Sequence, residues 1–385
     1  MMPSVTCGYL PLVDSAPLII AKDLLFATQE GLDLTLVKQP SWSAIRDHLA
    51  FGQLDFAHLL SPMPIAMSSG QSGYPVQIDA LMVLALNGTV IGVSTDMANR
   101  MAAQGWAPYF DNPRATSAAV LAGGQQTLRI GVPFPFSMHR LLVDYWLRQD
   151  PAFANDRVEI ISVPPPQMSQ ALRDGRIDMF CVGEPWGSVA VQDSGAVLVL
   201  PTSAIWNCVP EKVLGARRDW VTQNPATCHA MVRAVYRAAR WLEQPQNVPL
   251  AVEILASSKH LDLPDHAIEP ALTGQIRPRS GADPLRVDRF MVFHNGAANF
   301  PWRSQASWIS AQLGVPDQSQ CFRSDIYRDA LTPIGVDIPN ASAKVEGVLS
   351  EETPVTNPKG ALILAPDNFY DGAAFDIATE TTPKE

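Results

Sequence analysis

The chain writes one folding unit twice, and that repetition limits its architecture more than any other feature. "AFGQLDFAHLL" (residues 50–60) and "LRDGRIDMFCV" (172–182) share a helix end, a turn glycine and a strand with one aspartate. Leu49, Gly52, Leu54 and Asp55 match Leu172, Gly175, Ile177 and Asp178, each pair 123 positions apart. The flanks repeat in the same order. "SVTCGYLPL", "SAPLIIAKDLLFATQEG", "LDLTLVKQ", "SWSAIRDHLAFG" and "LDFAHLL" read as strand, helix, strand, helix and strand. "TLRIGVPF", "SMHRLLVDYWLRQ", "RVEIISVP", "PQMSQALRDG" and "RIDMFCVGE" read the same way. Strands alternating with helical patterns mark βαβ units on parallel sheets, so two copies imply two similar α/β lobes.

A chain of 385 residues exceeds one ordinary core and is expected to form two or three domains. The pattern divides it into a first lobe at 1–94, a second at 95–205, a return to the first lobe at 206–343 and an extended, partly disordered strap at 344–385. The segment Thr95 to Gln126, with a helix at Met97 to Gln104, is the expected crossover. After Pro201 the apolar spacing of three and four in "RRDWVTQNPATCHAMVRAVYRAARWLEQ" and "PLAVEILASS" indicates long helices. The fold class expected is α/β, two lobes with parallel sheets, an interlobe cleft and a helical C-terminal region. Ligand would sit in the cleft.

Composition removes several classes of function. No apolar run approaches the roughly 18 residues of a membrane span. The start "MMPSVTCGYLPLVDSAP" lacks a basic segment followed by an apolar one, so it does not have the layout of a secretory leader. Five scattered cysteines without a CxxC pair fit reduced thiols in a cytoplasm and give no zinc motif. A net charge of −10 without a basic patch argues against direct nucleic-acid binding. There is no GxSxG, P-loop, HExxH or GxGxxG signature, and no cofactor is expected.

Helix starts beside a cleft present unpaired N–H groups and partial positive charge, which suit an anion. In "KQPSWSAIRD" Ser41 is a plausible N-cap, with Trp42 and Ser43 in the first turn and an indole donor available. In "PFPFSMHRLLVDYWL" Ser137 caps, and His139 falls in the first turn. In "VPPPQMSQALRDG" the prolines Pro164 to Pro166 form a rigid wall. Lys212 in "WNCVPEKVLG" lies where the chain crosses back, a candidate counter-ion. Each also has an ordinary reading: core packing for Trp42, an interior ring for His139, a solvent-exposed ammonium for Lys212. Glu184 in "CVGEPWG" either caps a helix or orients Lys212. The symmetric Asp55 and Asp178 are expected to bind turn N–H groups. The set suits a small, singly charged anion with several acceptor oxygens.

"SWSAIRDHLAFGQLDFAHLLSPMPIAMSSG", "FPFSMHRLLVDYWL", "FCVGEPWG", "PEKVLGARRDWVTQNP" and "DNFYDGAAFD" together resemble the nitrate-binding family of type II periplasmic-binding-protein-like solute-binding proteins. The resemblance runs to about residue 375. It implies nitrate or nitrite as ligand, held by Trp42 and Ser43 from the first lobe, by His139, and by Lys212 as charge-compensating cation. Pro165, Val182 and Gly183 match pocket-lining positions. One departure stands out: the family's Gln in a "GQG" stretch is replaced by Thr89 in "NGTVIGVS". Within the family the chain is similar to cytoplasmic NasS-type nitrate/nitrite sensors. That similarity implies an RNA-binding antiterminator of NasT type as partner, with no membrane contact. A transport-associated binding protein for nitrate, nitrite or bicarbonate is the alternative. An enzyme on the same fold, such as a pyrimidine-precursor synthase of thiamine biosynthesis, is disfavoured by the lack of a cysteine-rich motif.

Overall fold

The computed structural model describes residues 2–73, 75–124, 127–357 and 360–380. The strands of its two large sheets are, in chain order, β1 (Ser4–Tyr9), β2 (Asp33–Lys38), β3 (Phe56–Leu60), β4 (Ile78–Asn87), β5 (Thr89–Val93), β6 (Leu128–Val132), β7 (Val158–Ser162), β8 (Met179–Gly183), β9 (Val197–Pro201) and β10 (Pro210–Arg217). Two small two-stranded sheets, Gln275–Ile276 with Leu285–Arg286 and Thr353–Asn357 with Gly360–Leu364, lie apart from them. Of the large sheets, one runs β4-β10-β3-β1-β2, with the two-residue strand Met291–Val292 beyond β4, and the other runs β7-β6-β8-β5-β9. In each, three strands are parallel (β2, β1, β3 and β7, β6, β8) and the next is antiparallel (β10 and β5). The sheets are therefore mixed. The two crossings between lobes supply the antiparallel strands, which the βαβ pattern alone does not reveal.

The repeat is a repeat of register. Cys7 and Gly8 pair with Phe56 and Ala57 in the first sheet, and Ile130 and Gly131 pair with Met179 and Phe180 in the second, all 123 positions on. The close approach is copied too. A Cβ on Gly8 would meet Leu54 Cδ1 at 2.4 Å, and one on Gly131 would meet Ile177 Cδ1 at 2.7 Å. Gly52 and Gly175 take φ of +75° and +63°, which glycine adopts without steric cost. The paired aspartates hold the neighbouring strand rather than the turn. Asp55 Oδ2 accepts from the Thr6 N–H at 2.8 Å, and Asp178 Oδ2 from the Arg129 N–H at 2.9 Å.

The first crossing falls at Asn87–Gly88, ahead of the boundary after residue 94, because Thr89–Val93 already belongs to the second sheet. Helices Thr95–Ala102 and Pro113–Gly123 then follow as part of that lobe. The return crossing ends where β10 begins at Pro210. Asn87 joins both crossings. At φ +60° its Nδ2 donates to the carbonyls of Asn207 (3.0 Å) and Arg289 (2.9 Å), and its Oδ1 accepts from the Val209 N–H (3.0 Å).

Two helical readings need correction. The pattern from Arg217 is two helices, Arg218–Gln223 and Pro225–Leu242, since Pro225 starts a new helix better than it continues one. The pattern after Ser15 breaks at Leu25, which takes φ +62° between Ala16–Asp23 and Phe26–Gln29. The strap crosses both lobes. Lys344 pairs with Glu346 and Asp367 beside the helix Arg303–Leu313, where Ser304 Oγ donates to Glu346. Phe369 stacks on Trp206 at 4.8 Å, and the Tyr145 hydroxyl of the second lobe donates to Asp371 at 2.7 Å. Residues 381–385, at the end of the segment expected to be partly disordered, lie outside the described residues.

Candidate functional site

Two capped helix starts and one strand end converge between the sheets. Ser41 Oγ accepts from the Ala44 N–H at 3.1 Å and Ser137 Oγ from the Arg140 N–H at 3.2 Å, so the helices Trp42–Ala50 and Met138–Arg148 begin at fixed points. Trp42 and His139 therefore occupy first turns and are buried, at 2% and 1% exposure. Among their polar atoms, Trp42 Nε1 and both ring nitrogens of His139 have no hydrogen-bond partner in the protein. Buried donors of this kind are rarely left unpaired, so they mark a place for an acceptor.

Lys212 and Glu211 come from β10. Adjacent strand residues ordinarily face opposite sides, yet Lys212 Nζ lies 2.9 Å from Glu211 Oε2. A register irregularity between Pro210 and Val213 turns both into one space. Lys212 also pairs with Asp14 Oδ2 at 2.8 Å, and Asp14 Oδ1 lies 3.0 Å from His58 Nε2. Asp14, His58, Glu211 and Lys212 are all fully buried. The lysine is thus no isolated counter-ion: it already bridges two carboxylates. Its ammonium also sits 5.8 Å from the Trp42 ring centroid, and the Trp42 and His58 rings are 5.4 Å apart.

Burial and charge set the protonation states. Burial pushes the Asp14 carboxyl up, but the Lys212 charge and the His58 contact together outweigh it and hold it at about 2. Burial pushes Glu211 up to about 7 despite Lys212. Burial lowers Lys212, and the charges of Asp14 and Glu211 raise it overall. Burial and then Lys212 hold His139 well below its usual value, so the ring is neutral. His58 is lowered by burial as well, against the pull of Asp14.

The second lobe closes the space. The Val13 N–H donates to the Glu184 carbonyl at 3.0 Å, a bond between lobes. A Cβ on Gly183 would meet Leu12 Cδ2 at 3.2 Å, Asp14 Oδ2 at 3.5 Å and His139 Nε2 at 3.7 Å. Gly183 therefore lets backbone come up to the cluster. Thr89 pairs in register with Gly183, Val182 with Val90. The buried Thr89 hydroxyl is engaged with the Thr202 hydroxyl. Pro165 is buried and opens the short helical turn after β7. Ser43 differs from the rest: its side chain is exposed and faces Ser41 at 3.2 Å, so its hydroxyl is not brought to the cluster. The Glu184 carboxylate caps the next helix, accepting from the Ser188 N–H at 3.1 Å, whereas Lys212 pairs with Asp14 and Glu211.

The chain's relatives share this arrangement of lobes. The model of the NMT1-like family matches residues 2–256. The nitrate/nitrite binding protein NrtA of Synechococcus elongatus is 30% identical over 394 aligned positions, covering 97% of this chain and 83% of that protein. The chain belongs to the NMT1-like family and, within it, to the nitrate-binding solute-binding proteins. The crystal structure of the periplasmic nitrate-binding protein NrtA from Synechocystis PCC 6803 superposes with a TM-score of 0.81 at 26% identity, covering 97% of this chain and 96% of that one. The nitrate import ATP-binding protein NrtC of Synechocystis is 33% identical over 308 residues, and the match spans 45% of its length.

As a solute-binding protein of this family, the chain has a two-lobed periplasmic-binding-protein fold whose interlobe cluster combines donors from both lobes. Among the described residues, no group of three or more His, Cys, Asp or Glu side chains is placed to hold a metal ion. Asp14, His58 and Glu211 were not singled out in the sequence. The repeat contained a signal for two of them. Asp14 and His58 stand 123 positions before Ser137 and Cys181, in matching places after β1 and on β3. Titratable residues in one copy opposite small or weakly polar ones in the other mark a break in the symmetry.

Proposed function

We propose that the protein binds nitrate or nitrite between its lobes as a sensor, without catalytic activity, and that the anion controls an RNA-binding antiterminator of NasT type. One observation carries the anion reading: buried, unpartnered donors of Trp42 and His139 come from opposite lobes and meet around the ammonium of Lys212. An anion that accepts from both would favour the closed lobes by its differential affinity for that state. The named relatives support the ligand class. The sensor role rests on the resemblance of the sequence to NasS-type proteins, and the net charge of −10 fits contact with RNA through a second protein.

The test uses purified chain and antiterminator on a size-exclusion column. A complex without anion that dissociates on adding nitrate supports the reading, whereas a complex indifferent to nitrate and nitrite sinks it. A second reading is favoured by the relatives NrtA and NrtC, and by a bicarbonate-binding relative: the binding component of a nitrate, nitrite or bicarbonate ABC transporter. Cell fractionation separates the two, since a transporter component would partition with the envelope.

A further inference from the structure

The buried cluster holds more negative charge than its lysine can balance. Lys212 is shared by Asp14 at 2.8 Å and Glu211 at 2.9 Å, and all three are fully buried. With both carboxylates ionised and the imidazoles neutral, the cluster carries one net negative charge before any ligand arrives. A bound anion would raise that to two in a space buried from solvent, where an uncompensated charge is strongly disfavoured. Glu211 is also the group with room for a proton. Its Oε2 faces Lys212, while its Oε1 is buried and has no partner.

The groups facing Glu211 come from every element around it. Lys212 adjoins it on β10. Asp14 comes from the short turn Val13–Ser15, with His58 of β3 behind it. His139, at the start of its helix, places Nδ1 at 3.8 Å from Glu211 Oε2, beyond hydrogen-bond reach. The thiol of Cys181 on β8 is raised by burial and then by the charge of Glu211. Among these, Asp14 is fixed as an anion by Lys212 and His58, and His139 is held neutral by burial and by Lys212. The balancing group is left to be Glu211.

We propose that Glu211 is protonated in the anion-bound protein, so that above neutral pH each nitrate enters the site together with one proton from solvent. The proton bonds to the carboxylate, no other bond forms or breaks, and the new O–H converts a repelling oxygen into a hydrogen-bond donor. A free-state value of about 7 for Glu211 agrees with this, because the bound anion raises it further. The proposal rests on the anion-binding reading above.

The experiment is calorimetric titration of the full chain with sodium nitrate from pH 6 to pH 9, in buffers of different ionisation enthalpy. The expected affinity is flat at the acid end and falls toward about tenfold per pH unit above pH 8, with uptake near one proton per nitrate. In Glu211→Gln the amide stays neutral, so uptake disappears and affinity no longer depends on pH. The wild-type proton count decides the matter even if that variant does not fold. Binding without proton uptake at pH 8.5, or equal uptake in a folded Glu211→Gln protein, overturns the proposal. No nitrate binding at any pH removes the underlying reading with it, and is distinguished by the absence of heat.

Discussion

Replacing Lys212 by Met removes the ammonium while keeping an unbranched, apolar stem in the same space. The lysine lies within 2.9 Å of two carboxylates that have no access to water. Breaking a buried ion pair by removing one partner costs about 3–5 kcal/mol. The loss depends on pH. In the wild type Asp14 is held at about 2, against roughly 3.9 in an unfolded chain, so it contributes stability above pH 4 that is lost as pH falls toward 2. That contribution is about 2–3 kcal/mol, and the variant forfeits it. Glu211, raised to about 7, works in the other sense. The folded protein keeps a proton that the unfolded chain has released, so stability falls as pH rises from about 4 to 7. Without Lys212 both carboxyls rise further, which moves more of the penalty to high pH. Urea unfolding of ligand-free protein, followed by tryptophan fluorescence, should show a loss of about 3–5 kcal/mol at pH 8 and about 1–2 kcal/mol less at pH 5. A loss equal at both pH values, or no loss, would refute the buried-cluster argument.

Trp42→Phe keeps an aromatic ring and deletes the unpartnered Nε1–H, so nitrate affinity measured by calorimetry should fall about tenfold or more, with a loss of about 1–2 kcal/mol in unfolding from the smaller buried ring. Unchanged affinity would place the indole in the core only. Gly183→Ala puts a methyl group 3.2 Å from Leu12 Cδ2 and 3.7 Å from His139 Nε2, and is expected to weaken nitrate binding more than it lowers stability. The reverse order would show that Gly183 serves packing alone. Asp55→Ala removes the charged acceptor of the half-buried Thr6 N–H and should cost about 1–3 kcal/mol in urea unfolding without changing anion affinity. An altered affinity there would link the repeat's aspartate to the site.

The sequence revealed the parts of the fold that local chemistry determines. The turn glycines Gly52 and Gly175 and the caps Ser41 and Ser137 are fixed by turn and helix-start geometry, and those are local rules, whereas the close approaches at Gly8 and Gly131 are tertiary and appear only in the structure. The antiparallel strands β5 and β10 were not legible, because they lie outside both copies of the repeat and take their sheet positions from the crossings between lobes, not from a local βαβ pattern. Trp42, His139 and Lys212 could be read as candidates for one cluster from their positions at helix starts and at a lobe crossing, and the structure brings them together. Asp14 and Glu211 could not, since their meaning depends on a register irregularity in β10 and on a turn folding against it, both set by tertiary packing. Ser43 shows the converse: a first-turn position is legible, but the direction of its hydroxyl is not.

The central claim is that a monovalent anion is held between the lobes by Trp42, His139 and Lys212, and that this state releases a protein partner. Calorimetric titration with nitrate, in the presence and absence of the antiterminator, tests it most directly. By linkage, a partner released by the anion must weaken anion binding by the same factor that the anion weakens the complex. The account predicts one nitrate per chain and a lower apparent affinity when the partner is present; a nitrate affinity that the partner leaves unchanged would contradict it.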